Sequence, residues 1–159
     1  MITKEQYTCL VKKYIDTVFR IALNYTGSFH DAEDITQDVF LALLRQQKDF
    51  ERDEHIRHWL IRVTVNACKK WHRSPWRRHI SFEEYAAALP DATAQDRSVL
   101  EAVMALPRKY RLPIYLYYYE DYSTQEIADI LRIPKGTVCT YLSRGRGILK
   151  MSLEDEDDE

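Results

Sequence analysis

Residues 123–149 read STQEIADILRIPKGTVCTYLSRGRGIL, two short helical patterns around a tight turn, and their reading decides what kind of fold the chain adopts. Ser123 and Glu126 have the S-x-x-E spacing of a capping box, in which each side chain satisfies a backbone N–H of the other residue. A helix is therefore predicted from Thr124, with Ile127, Ala128 and Leu131 turned inward. Arg132-Ile133-Pro134 turns the chain, and Pro134 suits the opening of the next helix because its missing N–H is not needed there. Val138, Leu142, Gly145 and Leu149 then recur at i, i+4, i+7 and i+11 and define the buried side. Lys135, Cys139, Thr140, Ser143 and Arg144 face outward, with Tyr141 and Arg146 near the boundary. Short polar and cationic side chains on that outer face suit a helix lying in a DNA major groove. The same hairpin could also be an αα-corner with a solvated basic face, so the rest of the chain has to separate the two readings.

At 159 residues the chain can form one ordinary domain or two small helical ones, since helical units close a core at roughly 60 to 80 residues. Hydrophobic residues make up 45% and charged residues 30%, the balance of a soluble globular protein. Only four glycines and five prolines argue against a β-rich or low-complexity chain, and an all-α fold is predicted. No apolar run approaches the roughly 20 residues needed to span a bilayer, and lysines interrupt the start MITKEQYTCLVKKY, so neither membrane insertion nor a secretory signal is expected. Cys9, Cys68 and Cys139 are far apart with no C-x-x-C spacing, which offers no disulfide framework or zinc knuckle and suits a reducing cytoplasm.

The formal net charge of −2 conceals an asymmetry. The last six residues, EDEDDE, are all acidic and leave 19 acids against 23 bases in the body of the chain. Residues 55–82 carry Arg57, Arg62, Lys69, Lys70, Arg73, Arg77 and Arg78, four histidines and no acid. A second acid-free block runs from Arg132 to Lys150. Two separated positive surfaces predict a polyanion contacted in two places.

Upstream of the hairpin, residues 4–25 place Leu10, Tyr14, Val18, Ile21, Ala22 and Tyr25 at helical spacing, with Gly27 as the stop. In SFHDAEDITQDVFLALLRQQ, Ser28 and Asp31 have capping-box-like spacing, and Ala32, Ile35, Val39 and Leu43 share one face. The opposite face holds Asp31, Asp34, Gln37, Asp38 and Leu41. A third helix is predicted from near His55, burying Ile56, Trp59, Leu60, Val63 and Ala67 and leaving Arg62, Asn66, Lys69, Lys70 and Arg73 outside. Trp59 is assigned to the core on this spacing. This bundle ends near residue 74, and Pro75 opens an aperiodic linker over 75–95. From Asp96 the helical period returns through Val99, Leu100, Val103 and Met104, pauses at Leu106-Pro107, and resumes through RKYRLPIYLYYYEDY. Pro107 fits the first turn of a helix and Pro113 is tolerable within its first two. Tyrosine favours strands, but no partner strand is evident and the run is read as helical.

As a whole the chain resembles the extracytoplasmic-function branch of bacterial sigma factors, compact RNA polymerase initiation subunits that keep sigma regions 2 and 4 joined by a flexible linker. The resemblance covers about residues 5–74 and 95–150. DAEDITQDVFLAL resembles the family's polymerase-docking helix, and WLIRVTVNACKKWHR its helix for melting and reading the −10 element. ALPRKYRLPIYLYYYEDYSTQEIADIL with IPKGTVCTYLSRGRGIL resembles the helix-turn-helix that binds the −35 element. The resemblance implies two small all-α domains, region 2 over 1–74 and region 4 over 96–150, with an acidic tail at 151–159. It implies core-polymerase contacts from Asp34, Gln37, Asp38 and Leu41. For −10 DNA it implies Phe50, Arg62, Asn66, Lys69, Lys70, Trp71 and Arg73, which combine cations, aromatic platforms and a polar reader as capture of unstacked bases requires. For −35 DNA it implies Lys135, Thr137, Cys139, Thr140, Tyr141, Ser143, Arg144 and Arg146.

The chain departs from the family in places. TVCTYL stands where a T-V-K-S-R-L string is common, so fewer cations face the −35 element and contacts shift toward thymine methyls. Arg132 replaces a common turn glycine. Gly145 and Gly147 each cost a helix roughly 1 kcal/mol relative to alanine, which predicts fraying of its end without DNA. The acidic tail has no clear counterpart and is read as a solubilising, disordered end.

The resemblance further implies core RNA polymerase and promoter DNA as partners, and an anti-sigma factor that restrains the protein. No cofactor and no covalent catalysis are expected. A metal-dependent nuclease using Asp31, Asp34 and Asp38, or the pair His55 and His58, lacks a second ligand cluster in the sequence. The closer rival is a helix-turn-helix regulator that works without polymerase, and it leaves the first bundle unexplained.

Overall fold

The computed structural model describes residues 2–46, 49–73 and 101–157, with side chains up to residue 154 at the C-terminal end. Among these residues the chain forms helices and no strand. In order they are α1 (Lys4–Thr26), α2 (Phe29–Arg45), α3 (Asp53–His72), α4 (Arg108–Tyr118), α5 (Thr124–Leu131) and α6 (Lys135–Asp157), with a further helical stretch at 101–104. The chain divides into two compact units, 1–79 and 80–159. The predicted linker, with Val99 and Leu100, lies outside the described residues.

In the first unit α1 packs on both α2 and α3, and these two pack on each other. Thr3 and Gln6 form a complete capping box at the start of α1, a signal the sequence reading passed over. Gly27 closes α1 at φ 67°, the left-handed conformation that favours glycine, and its N–H returns to the Leu23 carbonyl. Ser28 then opens α2 by accepting from the Asp31 N–H. Tyrosine hydroxyls join the helices: Tyr7 donates to the Phe40 carbonyl at 3.0 Å, and Tyr14 to the Asp53 carbonyl at 3.4 Å. Lys13 pairs with Asp53 at 3.0 Å across the same junction, and this hydrogen bond holds the lysine ammonium above its ordinary pKa.

The α3 helix corrects the sequence reading. It starts at Asp53, and its fully buried residues are Leu60, Ile61, Thr64, Val65 and Cys68. Ile56, Trp59, Val63 and Ala67 are only half-buried. The inward face is turned toward Thr64 and Cys68, because the Thr64 hydroxyl donates to the Leu60 carbonyl at 2.6 Å and can be buried without an unmet polar group. Trp59 is therefore a boundary residue; Phe50 meets it edge-on at 5.7 Å.

In the second unit α6 packs on α4 and α5. Pro107 sits at the N-cap of α4, one position before the predicted first turn, and Pro113 is accommodated inside the helix. Buried Arg111 donates to the Met104 carbonyl at 3.3 Å and ties α4 to the preceding turn. The tyrosine run is helical, and buried Tyr115 donates to the carboxylate of buried Glu120 at 2.9 Å. The predicted capping box of Ser123 and Glu126 is present in both directions. Arg132 closes α5 at φ 57° and ψ 46°, the left-handed conformation that a turn glycine would supply. Val138, Leu142 and Gly145 are buried and Leu149 half-buried, as the spacing predicts. The α6 helix runs through Gly145 and Gly147 to Asp157, so the backbone of the first part of the acidic tail continues the helix.

Candidate nucleic-acid interface and docking face

On α2, Asp34, Gln37, Asp38 and Leu41 are all exposed and repeat at helical spacing along the side away from the core. His30 lies 3.7 Å from the Asp34 carboxylate, one turn earlier. Leu41 is 43% exposed and Leu44, three residues on, is 55% exposed, so the acidic face carries an apolar stripe longer than predicted. Periodicity alone does not single out Leu44, which lies outside both the buried repeat of Ala32, Ile35, Val39 and Leu43 and the acidic run.

The C-terminal half of α3 exposes Asn66, Lys69, Lys70 and Arg73, with Trp71 half-buried beside them. The fold brings this cluster up to the α2 face. Asp38, Leu41, Ala42 and Arg45 of α2 line a shallow groove of about 570 Å³ with Ala67 and Lys70 of α3. Arg62 differs from the expected free cation: it is half-buried, with its Nε buried and unpartnered. Phe50 is half-buried, pinned against Trp59, and lines a separate groove of about 600 Å³ with Leu10, Ile56, Asp49 and Glu5. From Trp59 to Arg73 is 14 residues, roughly 20 Å of helix at 1.5 Å each, so Phe50 stands at the opposite end of α3 from Lys69 to Arg73.

In the second unit α6 exposes Lys135, Cys139, Thr140, Ser143, Arg144 and Arg146, with Thr137 and Tyr141 half-buried. Thr140 donates back to the Gly136 carbonyl at 3.0 Å, which satisfies its hydroxyl. Tyr141 packs edge-on against Tyr110 at 5.5 Å. The Tyr110 phenol is held below its ordinary pKa, first by the nearby Arg144 guanidinium, against burial, which pushes the other way; the Lys109 ammonium, 5.1 Å from the ring centroid, adds to the lowering. Arg146 Nη1 donates to the Tyr118 hydroxyl at 3.1 Å. Arg146 is thus engaged by a phenol of α4, and the charge of Arg144 acts on another, which periodicity within α6 gave no means of foreseeing. Among the described residues no helix is long and apolar enough to cross a membrane.

Comparison with known proteins matches both halves of the chain. Residues 10–78 match the model for Sigma-70 region 2, and residues 96–149 match that for Sigma-70, region 4. The chain is 28% identical over 170 residues to the ECF RNA polymerase sigma factor SigW of Bacillus subtilis (strain 168), an alignment spanning 96% of this chain and 91% of the relative. Two solved structures share the fold. One is the sigma factor RpoE in complex with the anti-sigma factor NepR from Bartonella quintana, at 18% identity and a TM-score of 0.75 over 93% of this chain and 96% of that one. The other is CnrH in complex with the cytosolic domain of CnrY, at 24% identity and a TM-score of 0.72 over 96% of this chain and 90% of that one. With region 2 and region 4 in order along one short chain, the protein belongs to the extracytoplasmic-function branch of the sigma-70 family and is a sigma factor that directs RNA polymerase to promoters.

Proposed function

We propose that the first unit docks on core RNA polymerase through Asp34, Gln37, Asp38 and Leu41 and opens the −10 region with Arg62, Asn66, Lys69, Lys70, Trp71 and Arg73. The second unit grips duplex −35 DNA through α6. The supporting observation is the groove between α2 and α3, where acidic and apolar docking residues meet Lys70. Polymerase held on one wall sets melted DNA beside the other. Phe50 serves a different step, closing its own groove over a displaced base. On α6, exposed Thr140 and Cys139 read thymine methyls, while Lys135, Arg144 and Arg146 hold phosphates.

Region 2 over 1–74 and region 4 over 96–150, joined by residues 75–95, divide these tasks. The protein works in the cytoplasm by binding and switching, without covalent catalysis or a cofactor. Its similarity to a sigma factor solved in complex with an anti-sigma factor supports an anti-sigma factor as its restraint.

The test is co-elution of the purified chain with core RNA polymerase, followed by mapping of transcript starts. Leu41→Asp is expected to weaken co-elution by about tenfold or more, as loss of a central apolar contact does. Asn66→Ala is expected to alter −10 preference, roughly tenfold at one position, while leaving −35 preference in place. A chain that binds duplex DNA yet ignores the core enzyme is instead a regulator working alone, and the proposal fails.

A further inference from the structure

The two arginines of α6 stand two residues apart, about 200° around the helix axis, so they cannot share a face. Thr140 and Ser143 lie in the arc between them, on the side turned to solvent. A helix seated in a major groove meets a sugar-phosphate strand on each flank, and Arg144 and Arg146 occupy those flanks. An arginine on a surface normally loses side-chain freedom when it captures a phosphate. Here the Arg146 guanidinium is already engaged by a phenol of the supporting helix α4, donating to the Tyr118 hydroxyl at 3.1 Å. Tyr118 is itself held, edge-on to Tyr117 at 5.0 Å, yet 48% exposed. Accepting one bond from Arg146 leaves the guanidinium four of its five N–H donors and leaves the phenol its own O–H. Both can reach one phosphate.

We propose that Tyr118 is a positioning residue for DNA binding, one that orients Arg146 as a preformed phosphate clamp on the flank of α6 opposite Arg144. This rests on the assignment of α6 to duplex −35 DNA. It extends the DNA-binding machinery from α6 to α4, beyond every residue predicted from the sequence to contact DNA.

The test is fluorescence anisotropy of the full chain with a labelled random-sequence DNA duplex, across a series of low NaCl concentrations. Arg146→Ala and Tyr118→Phe are each expected to lower affinity about fivefold and to reduce the slope of log Kobs against log[salt] by about one, the signature of one lost phosphate contact. The double variant is expected to bind no more weakly than Arg146→Ala alone, because the two side chains act as one unit. A thermal unfolding midpoint close to the parent's establishes that Tyr118→Phe is folded, and a merely structural tyrosine would leave the salt slope unchanged. Parent-like binding by Tyr118→Phe while Arg146→Ala loses affinity overturns the positioning role and leaves α6 as the duplex-binding helix. Additive losses in the double variant overturn it as well. Parent-like binding by Arg144→Ala, Arg146→Ala and Lys135→Ala together overturns the duplex assignment itself.

Discussion

Two glycines of α6, two positions apart, occupy opposite environments. A Cβ on Gly145 would overlap Ile114 Cδ1 and come within 3.3 Å of Tyr110 Cβ, whereas a Cβ on Gly147 would meet nothing within 4 Å. Helix propensity alone counts both as roughly 1 kcal/mol weaker than alanine, but at Gly145 overpacking of about 1–3 kcal/mol opposes that gain. Gly145→Ala is therefore expected to destabilise the second unit by about 1 kcal/mol in urea unfolding, and Gly147→Ala to stabilise it by up to about 1 kcal/mol. Adding Ile114→Val to Gly145→Ala removes the overlapping methyl and is expected to recover part of the loss. An equal gain from both single alanines would show that α6 can move away from α4. The sequence could not rank these two positions, since the atoms that distinguish them belong to another helix. The same holds for Trp59, whose spacing matched a buried stripe but whose ring stops at the boundary against Phe50.

Elements were most legible where their signals are local. The S-x-x-E box at Ser123, the proline opening before α6 and the glycine stop at Gly27 each act within a few residues, and each stands where periodicity put it. Ser123→Ala removes the acceptor for the Glu126 N–H and is expected to cost about 1 kcal/mol, seen as a lower unfolding midpoint of the second unit. Preservation of that midpoint would mean that packing of Ile127, Ala128 and Leu131 alone holds α5 in place. The rotation of α3 was less legible, because a threonine and a cysteine count as weakly apolar in a periodic pattern. A threonine that returns its hydroxyl to the preceding turn can be buried with its donor satisfied. The unbroken course of α6 into the acidic tail was likewise hidden, since charge runs and glycines both read as endings.

On the scale of the molecule, the separation into 1–79 and 80–159 matches two families of contact that each close within one half of the chain. Each half has reached the roughly 60 to 80 residues at which a helical core becomes self-sufficient. Residues 1–79 and 80–159, expressed separately, are expected to be helical and to unfold cooperatively, by circular dichroism, at midpoints near those of the intact chain. A large drop for either fragment would show that its stability depends on the other. The sequence by itself determined the helices, their caps, the two positive blocks and the likeness to a two-region sigma factor, because propensity, periodicity and charge are carried by neighbouring residues. Only the tertiary structure decided which face of α3 is buried, that Lys70 shares a groove with Asp38 and Leu41, and that Tyr118 of α4 holds Arg146 of α6. Those outcomes are set by packing between side chains far apart along the chain, where no local pattern reaches.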